Sequence, residues 1–114
     1  MATVTAPSVK TIPAYPASAV AAALQEELLR VIRSRYRRKG QPLPKADDEV
    51  IILVIELDSL TVVEVLACLD DVLPFKVTQD VVKAGGYGSI AEAVKHVVGR
   101  VESKWIKYVS GGKA

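Results

Sequence analysis

From Ser89 onward the apolar residues fall three and four apart: Ile90, Val94, Val97, Val98, Val101, Trp105 and Tyr108. That spacing stacks them on one side of an α-helix and would give a strand no consistent face. Ser89-Ile90-Ala91-Glu92 opens the run as a capping box, in which serine and glutamate satisfy backbone N–H groups that the first turn leaves unpaired. So long an apolar stripe needs another helix to cover it, and the other end of the chain supplies one. Val20, Leu24, Leu28 and Val31 share a face of a helix expected over about Ser18 to Arg38, with Arg30, Arg33 and Arg37 opposite. Lys39-Gly40, then Pro42 and Pro44, close that helix.

The middle of the chain is less regular. Gln41 to Asp48 is expected as a loop. Val50 to Leu57 has the β-branched composition of a strand, yet no second candidate strand exists to pair with it. It is therefore expected as an apolar loop across a helical core, or a short helical turn. Asp58 is a good N-cap for a helix running to about Leu73, where Pro74 stops it. On this helix Val62, Val65, Leu66, Leu69 and Leu73 form a core stripe, while Leu60, Val63 and Ala67 gather on the other side beside Glu64, Asp70 and Asp71. One core stripe suffices for a surface helix, so the second, framed by acids, predicts burial on two sides or a surface for another protein. Cys68, between the stripes, is expected as a half-buried filler. Thr78 caps a brief helical stretch over Gln79 to Lys83, and Ala84-Gly85-Gly86-Tyr87-Gly88 is expected as a flexible connector. The fold class is all-α: a small four-helix bundle of three long helices and a short third. It occupies 18–109, between an arm over 1–17 (Pro7, Pro13 and Pro16, no acids) expected to be disordered and a flexible tail over 110–114.

Composition narrows the function. The 114 residues have room for one domain; half are hydrophobic but only 5% aromatic, so the core is aliphatic. A single cysteine excludes an internal disulfide. The apolar run Val50 to Ile55 is six residues long, too short for a membrane span, and the Ala17–Leu24 stretch follows only one lysine, a poor signal peptide. A cytoplasmic monomer is expected. Charge is divided sharply. Residues 1–45 hold eight Lys/Arg against two acids; residues 46–75 hold eight acids and no Lys or Arg; residues 76–114 hold seven Lys/Arg against three acids. Such charge blocks are more often solvated faces than binding sites, yet an acidic block without a counter-charge is also a ready docking surface for basic partners. One histidine, His96, and one cysteine give a metal no ligand set. The lone histidine is also a poor start for a hydrolytic triad, and Asp70 and Asp71 are adjacent rather than opposed. Arg30 to Lys39 has the charge to track phosphates, but Tyr36 is its one aromatic and the acidic block would repel the same backbone. Neither an enzyme nor a nucleic-acid partner is expected.

Residues 54–98 carry a resemblance. Ile55-Glu56-Leu57-Asp58-Ser59-Leu60 resembles the Asp-Ser-Leu attachment motif of the acyl carrier protein family. Glu64 and Asp70-Asp71 follow on the next helix, then Leu73-Pro74-Phe75-Lys76-Val77 before a short helix, and Ser89-Ile90-Ala91-Glu92-Ala93-Val94 at the start of the last. The resemblance implies a carrier-type four-helix bundle. Ser59 would take a covalent 4′-phosphopantetheine arm from coenzyme A, attached by a phosphopantetheinyl transferase, with Asp58 capping the helix and assisting the transferase's Mg²⁺. The arm's thiol would hold an acyl or related group as a thioester. Leu60, Val63 and Ala67, with Glu64, Asp70 and Asp71, would meet basic patches on enzymes that load and unload it. Many members have glycine where Glu56 stands and an acid where Thr61 stands, and most are acidic throughout. This chain has a pI of about 8.7. These differences imply a specialised stand-alone carrier, with fatty-acyl, aminoacyl or polyketide cargo, rather than the housekeeping fatty-acid one. The competing expectation is a carrier-like interaction module that never receives the arm.

Overall fold

The computed structural model describes residues 14–110, which are mostly helical: α1 Ala17–Arg38, α2 Asp47–Ile52, α3 Ser59–Val65 and α4 Ile90–Val109. A 3₁₀ segment, Leu66–Asp71, prolongs α3, and a single 3₁₀ turn, Gln79–Val81, lies between it and α4. The all-α expectation holds, with proportions different from three long helices and a short one. Only α1 and α4 are long. The expected helix from Asp58 to Leu73 tightens to 3₁₀ geometry after Val65 and ends at Asp71.

The two long helices pack mainly against each other. α1 buries Val20, Leu24, Leu28, Leu29 and Ile32, and α4 buries Ile90, Ala93, Val94, Val97, Val101 and Trp105. Toward its end α1 turns Ile32 inward and leaves Val31, the expected stripe member, half-buried. Tyr108, expected in the α4 stripe, is exposed and stacks at its edge on Phe75. The core stripe of the third helix is as expected: Val62, Val65, Leu66, Leu69 and Leu73 are all buried. Ser89 caps α4, its hydroxyl accepting from the Glu92 N–H at 3.1 Å, while the Glu92 side chain reaches past the cap to the Gly88 N–H at 2.9 Å.

Val50 to Leu57 resolves the ambiguity of its composition by being both things in turn. Its first residues finish α2, and the rest are extended, with Val50, Ile55 and Leu57 buried and Ile52 and Val54 outward. A strand partner does exist, one residue long: Leu57 pairs with Tyr87 in an isolated antiparallel bridge. Of the expected arm, residues 1–13 fall outside the described residues; Tyr15 stacks on Trp105 and its hydroxyl donates to the Val98 carbonyl at 2.8 Å. Of the expected tail, only Ser110 is described. No helix among the described residues is long and apolar enough to cross a membrane.

Candidate functional site at the start of α3

Ser59 is the first residue of α3, and three sets of contacts fix where it stands. The first is its own cap. Asp58 has extended backbone and its carboxylate accepts from the Thr61 N–H at 2.9 Å. Hydrogen bonding from the Thr61 side chain and amide, aided by the nearby Arg35 guanidinium, holds the Asp58 carboxyl below its ordinary range. The carboxylate is therefore charged at neutral pH, beside the positive end of the helix.

The second set comes from the glycine-rich segment. Leu57 N–H donates to the Tyr87 carbonyl at 3.0 Å, Tyr87 N–H returns a bond to the Leu57 carbonyl at 2.8 Å, and Ile55 N–H donates to the Gly88 carbonyl at 2.9 Å. Gly86 passes so close that a Cβ there would sit 2.2 Å from the Leu57 carbonyl oxygen and 2.8 Å from Asp58 Cα, and its φ of +86° belongs to glycine. The connector is thus a clamp on the chain leading into Ser59 rather than a flexible link. Tyr87 is itself anchored: its buried hydroxyl accepts from the Lys83 N–H at 2.8 Å and meets His96 Nδ1 at 2.7 Å.

The third set comes from α1. Arg35 Nη1 donates to Thr61 Oγ1 at 2.7 Å, and its other terminal nitrogen lies 4.0 Å from the Glu64 carboxylate. Thr61 is only 1% exposed, so this bond satisfies a hydroxyl that water cannot reach. The sequence patterning gave Arg35 no role, and no local signal links it to a threonine 26 positions away.

Held in this way, Ser59 is half-exposed, and its hydroxyl makes no hydrogen bond among the described residues. Thr61 N–H is taken by Asp58, and the N–H groups of Ser59 and Leu60 lie in the first turn, where a helix offers no internal acceptor. Leu60 projects outward, 65% exposed, with Val63 half-buried and Ala67, Glu64, Asp70 and Asp71 exposed. Val63, Ala67 and Asp70 line an open groove of about 480 Å³ against Leu66 and the segment Lys76–Gln79, whereas Leu60, Glu64 and Asp71 lie outside it. Val54, 88% exposed on the segment entering the site, adds apolar surface that the sequence reading had laid across the core.

The acidic block is not free of counter-charge once folded. Arg33 bonds Asp47 at 2.7 Å, Arg35 approaches Glu64, and Lys76 lies 3.7 Å from Asp70. The block and its basic flanks neutralise each other in part, which no local reading of charge shows. Cys68 is half-buried as expected, and burial pushes its thiol up to about 11, leaving it a poor nucleophile. No group of three or more metal-ligating side chains gathers among the described residues. Comparison of the chain with protein-family models, with curated proteins and with solved structures finds no match.

Proposed function

We propose that the protein is a carrier of the acyl-carrier type, with Ser59 the attachment point for a 4′-phosphopantetheine arm. The observation that carries the reading is the Ser59 hydroxyl: half-exposed, without a hydrogen bond among the described residues, at the first turn of a helix, directly after a capping aspartate. A visiting transferase needs an acceptor hydroxyl it can reach, and a phosphodiester there would lie beside unpaired N–H groups and the positive helix end. The residues present fit such a group. Ser59 Oγ would hold it, Asp58 would keep the helix start formed, and Arg35 places a cation on the same turn. When bound, the arm supplies a terminal thiol on which an acyl or related group travels as a thioester. The chain's own thiol, Cys68, is too deprotonation-resistant for that task.

The outward strip Leu60, Val63 and Ala67, rimmed by Glu64, Asp70 and Asp71, supports docking to loading and transferring enzymes with basic, partly apolar patches. The ion pairs from Arg35 and Lys76 to that rim soften its charge and favour partners less basic than a purely acidic strip would select. A cytoplasmic, monomeric carrier without chemistry of its own is the corresponding reading of its setting. Incubation with coenzyme A, Mg²⁺ and a broad-specificity phosphopantetheinyl transferase, followed by intact mass measurement, tests it. The expected result is a single phosphopantetheine increment on the wild type and none on Ser59→Ala. A folded wild type that gains no mass would instead be the interaction module that never receives the arm.

A further inference from the structure

On the outer face of α4, away from the start of α3, Lys83, Glu92, Lys95, His96, Gly99 and Arg100 line an open cavity of about 420 Å³. Gly99 is the unusual member. Glycine weakens a helix interior relative to alanine, so it needs a reason there. Its backbone is not left-handed, and a Cβ built on it meets nothing within 4 Å. Neither conformation nor packing among the described residues explains the missing side chain; what it leaves is open floor between cations.

We propose that this cavity binds a small phosphate monoester, with the phosphate held between Lys83, Lys95 and Arg100 and the organic part lying over the bare backbone at Gly99. The charges favour it. Arg100 donates to a neutral acceptor, the Asp80 carbonyl, at 3.2 Å, and the Asp80 carboxylate is itself held by Lys104, so the guanidinium keeps its charge for a ligand. Lys95 has no ion pair within 4 Å among the described residues. Glu92 is the opposing charge. It is bonded to the Gly88 N–H at 2.9 Å and lies 3.5 Å from Lys83 Nζ, and three cations outnumber it. The Tyr87 hydroxyl, which accepts from Lys83 N–H, also meets His96 Nδ1 at 2.7 Å and so anchors the imidazole at the cavity wall. Free phosphate would satisfy the cations but leave most of 420 Å³ empty, which is why an ester is the better occupant.

The test is a titration of the full chain, followed by amide ¹H–¹⁵N spectra at constant ionic strength, with adenosine 5′-monophosphate and with inorganic phosphate. Saturable shifts confined to Lys83, Lys95, His96, Gly99 and Arg100 are expected, tighter for the ester. Gly99→Leu and Lys95→Ala should each weaken binding about tenfold or more. Gly99→Ala, which should melt no lower than wild type, checks that the position tolerates a side chain. Shifts that never saturate, that spread equally to Arg37, Arg38 and Lys39, or that survive Gly99→Leu would overturn the site. The outcome is independent of whether Ser59 accepts an arm, so either proposal can fail alone.

Discussion

The two long helices and the segment between them are held by different kinds of force. α1 and α4 are 22 and 20 residues long, each burying one aliphatic face against the other, and no single contact dominates. Residues 47–88 contain helical pieces of three to seven residues. What orders them is a handful of directed contacts: the Leu57–Tyr87 bridge, the close passage of Gly86, the Arg35–Thr61 bond, and Arg33 donating to the Pro44 and Lys45 carbonyls. The frame is therefore buffered by its many interchangeable contacts, while the start of α3 depends on a few that cannot be exchanged. The proposed carrier role would use that division, with a stable body and one hydroxyl set at a defined place on its surface.

Substitutions can break or sharpen this contrast. The largest effect belongs to the frame: Leu24→Ala empties a fully buried position and should cost about 3 kcal/mol in chemical denaturation, without moving the residues around Ser59 relative to each other. Next comes the clamp. Gly86→Ala forces both a left-handed residue and a backbone collision and should cost about 2 kcal/mol or more, whereas Gly85→Ala, equally left-handed at φ +91° but with open space around it, should cost about 1 kcal/mol. Equal losses at the two glycines would remove the close approach from the account. Arg35→Met removes the donor to the buried Thr61 oxygen, which keeps only its bond to Asp58, and should cost about 1 kcal/mol. Arg30→Met, which breaks only the exposed pair with Glu27, should leave the denaturation midpoint unchanged.

The cap at Asp58 has a pH signature. Asp58→Ala removes a cap worth about 1 kcal/mol, and Asp58→Asn, which can still accept from Thr61 N–H, should cost less. Because folding lowers the Asp58 pKa, its ionic contribution is present above the unfolded value, near 3.8, and disappears as the pH falls through the lower folded value. Wild type should lose stability over that acid window, and Asp58→Asn should lose less. Matching acid profiles would mean the cap carries no ionic component.

The same contrast decided what could be read from sequence. α4 announced itself because its period persists for five turns and Ser89 and Glu92 mark its start; the cap is where the spacing put it, and so is the stripe from Ile90 to Trp105 apart from the half-buried Val98, with Tyr108 exposed beyond it. The core and outward faces of the third helix were equally legible, Leu60 and Val62 pointing apart as their rotation requires. α2 was legible only as one of two alternatives at Val50, and its start at Asp47 fell within the expected loop, because six residues make too few turns to show a period and the composition after Glu49 argued for a strand. The clamp escaped because it joins single residues 30 positions apart: nothing local in Gly86 or Tyr87 names Leu57 as the partner. Arg35 counted as one more base on a basic helix, although its partner was a threonine noted only for not being an acid. Residue type located Ser59 and its cap; the contacts that hold them there are long-range, and only the folded chain displays them.

The most direct measurement of the central claim is fragmentation of the proteolytic peptide that contains Ser59, after the transferase reaction. The account predicts the phosphopantetheine on Ser59 alone, with the other described serines, Ser18, Ser34, Ser89, Ser103 and Ser110, unmodified. An arm on any of those, or a bare Ser59 peptide from folded protein exposed to an active enzyme, would contradict it.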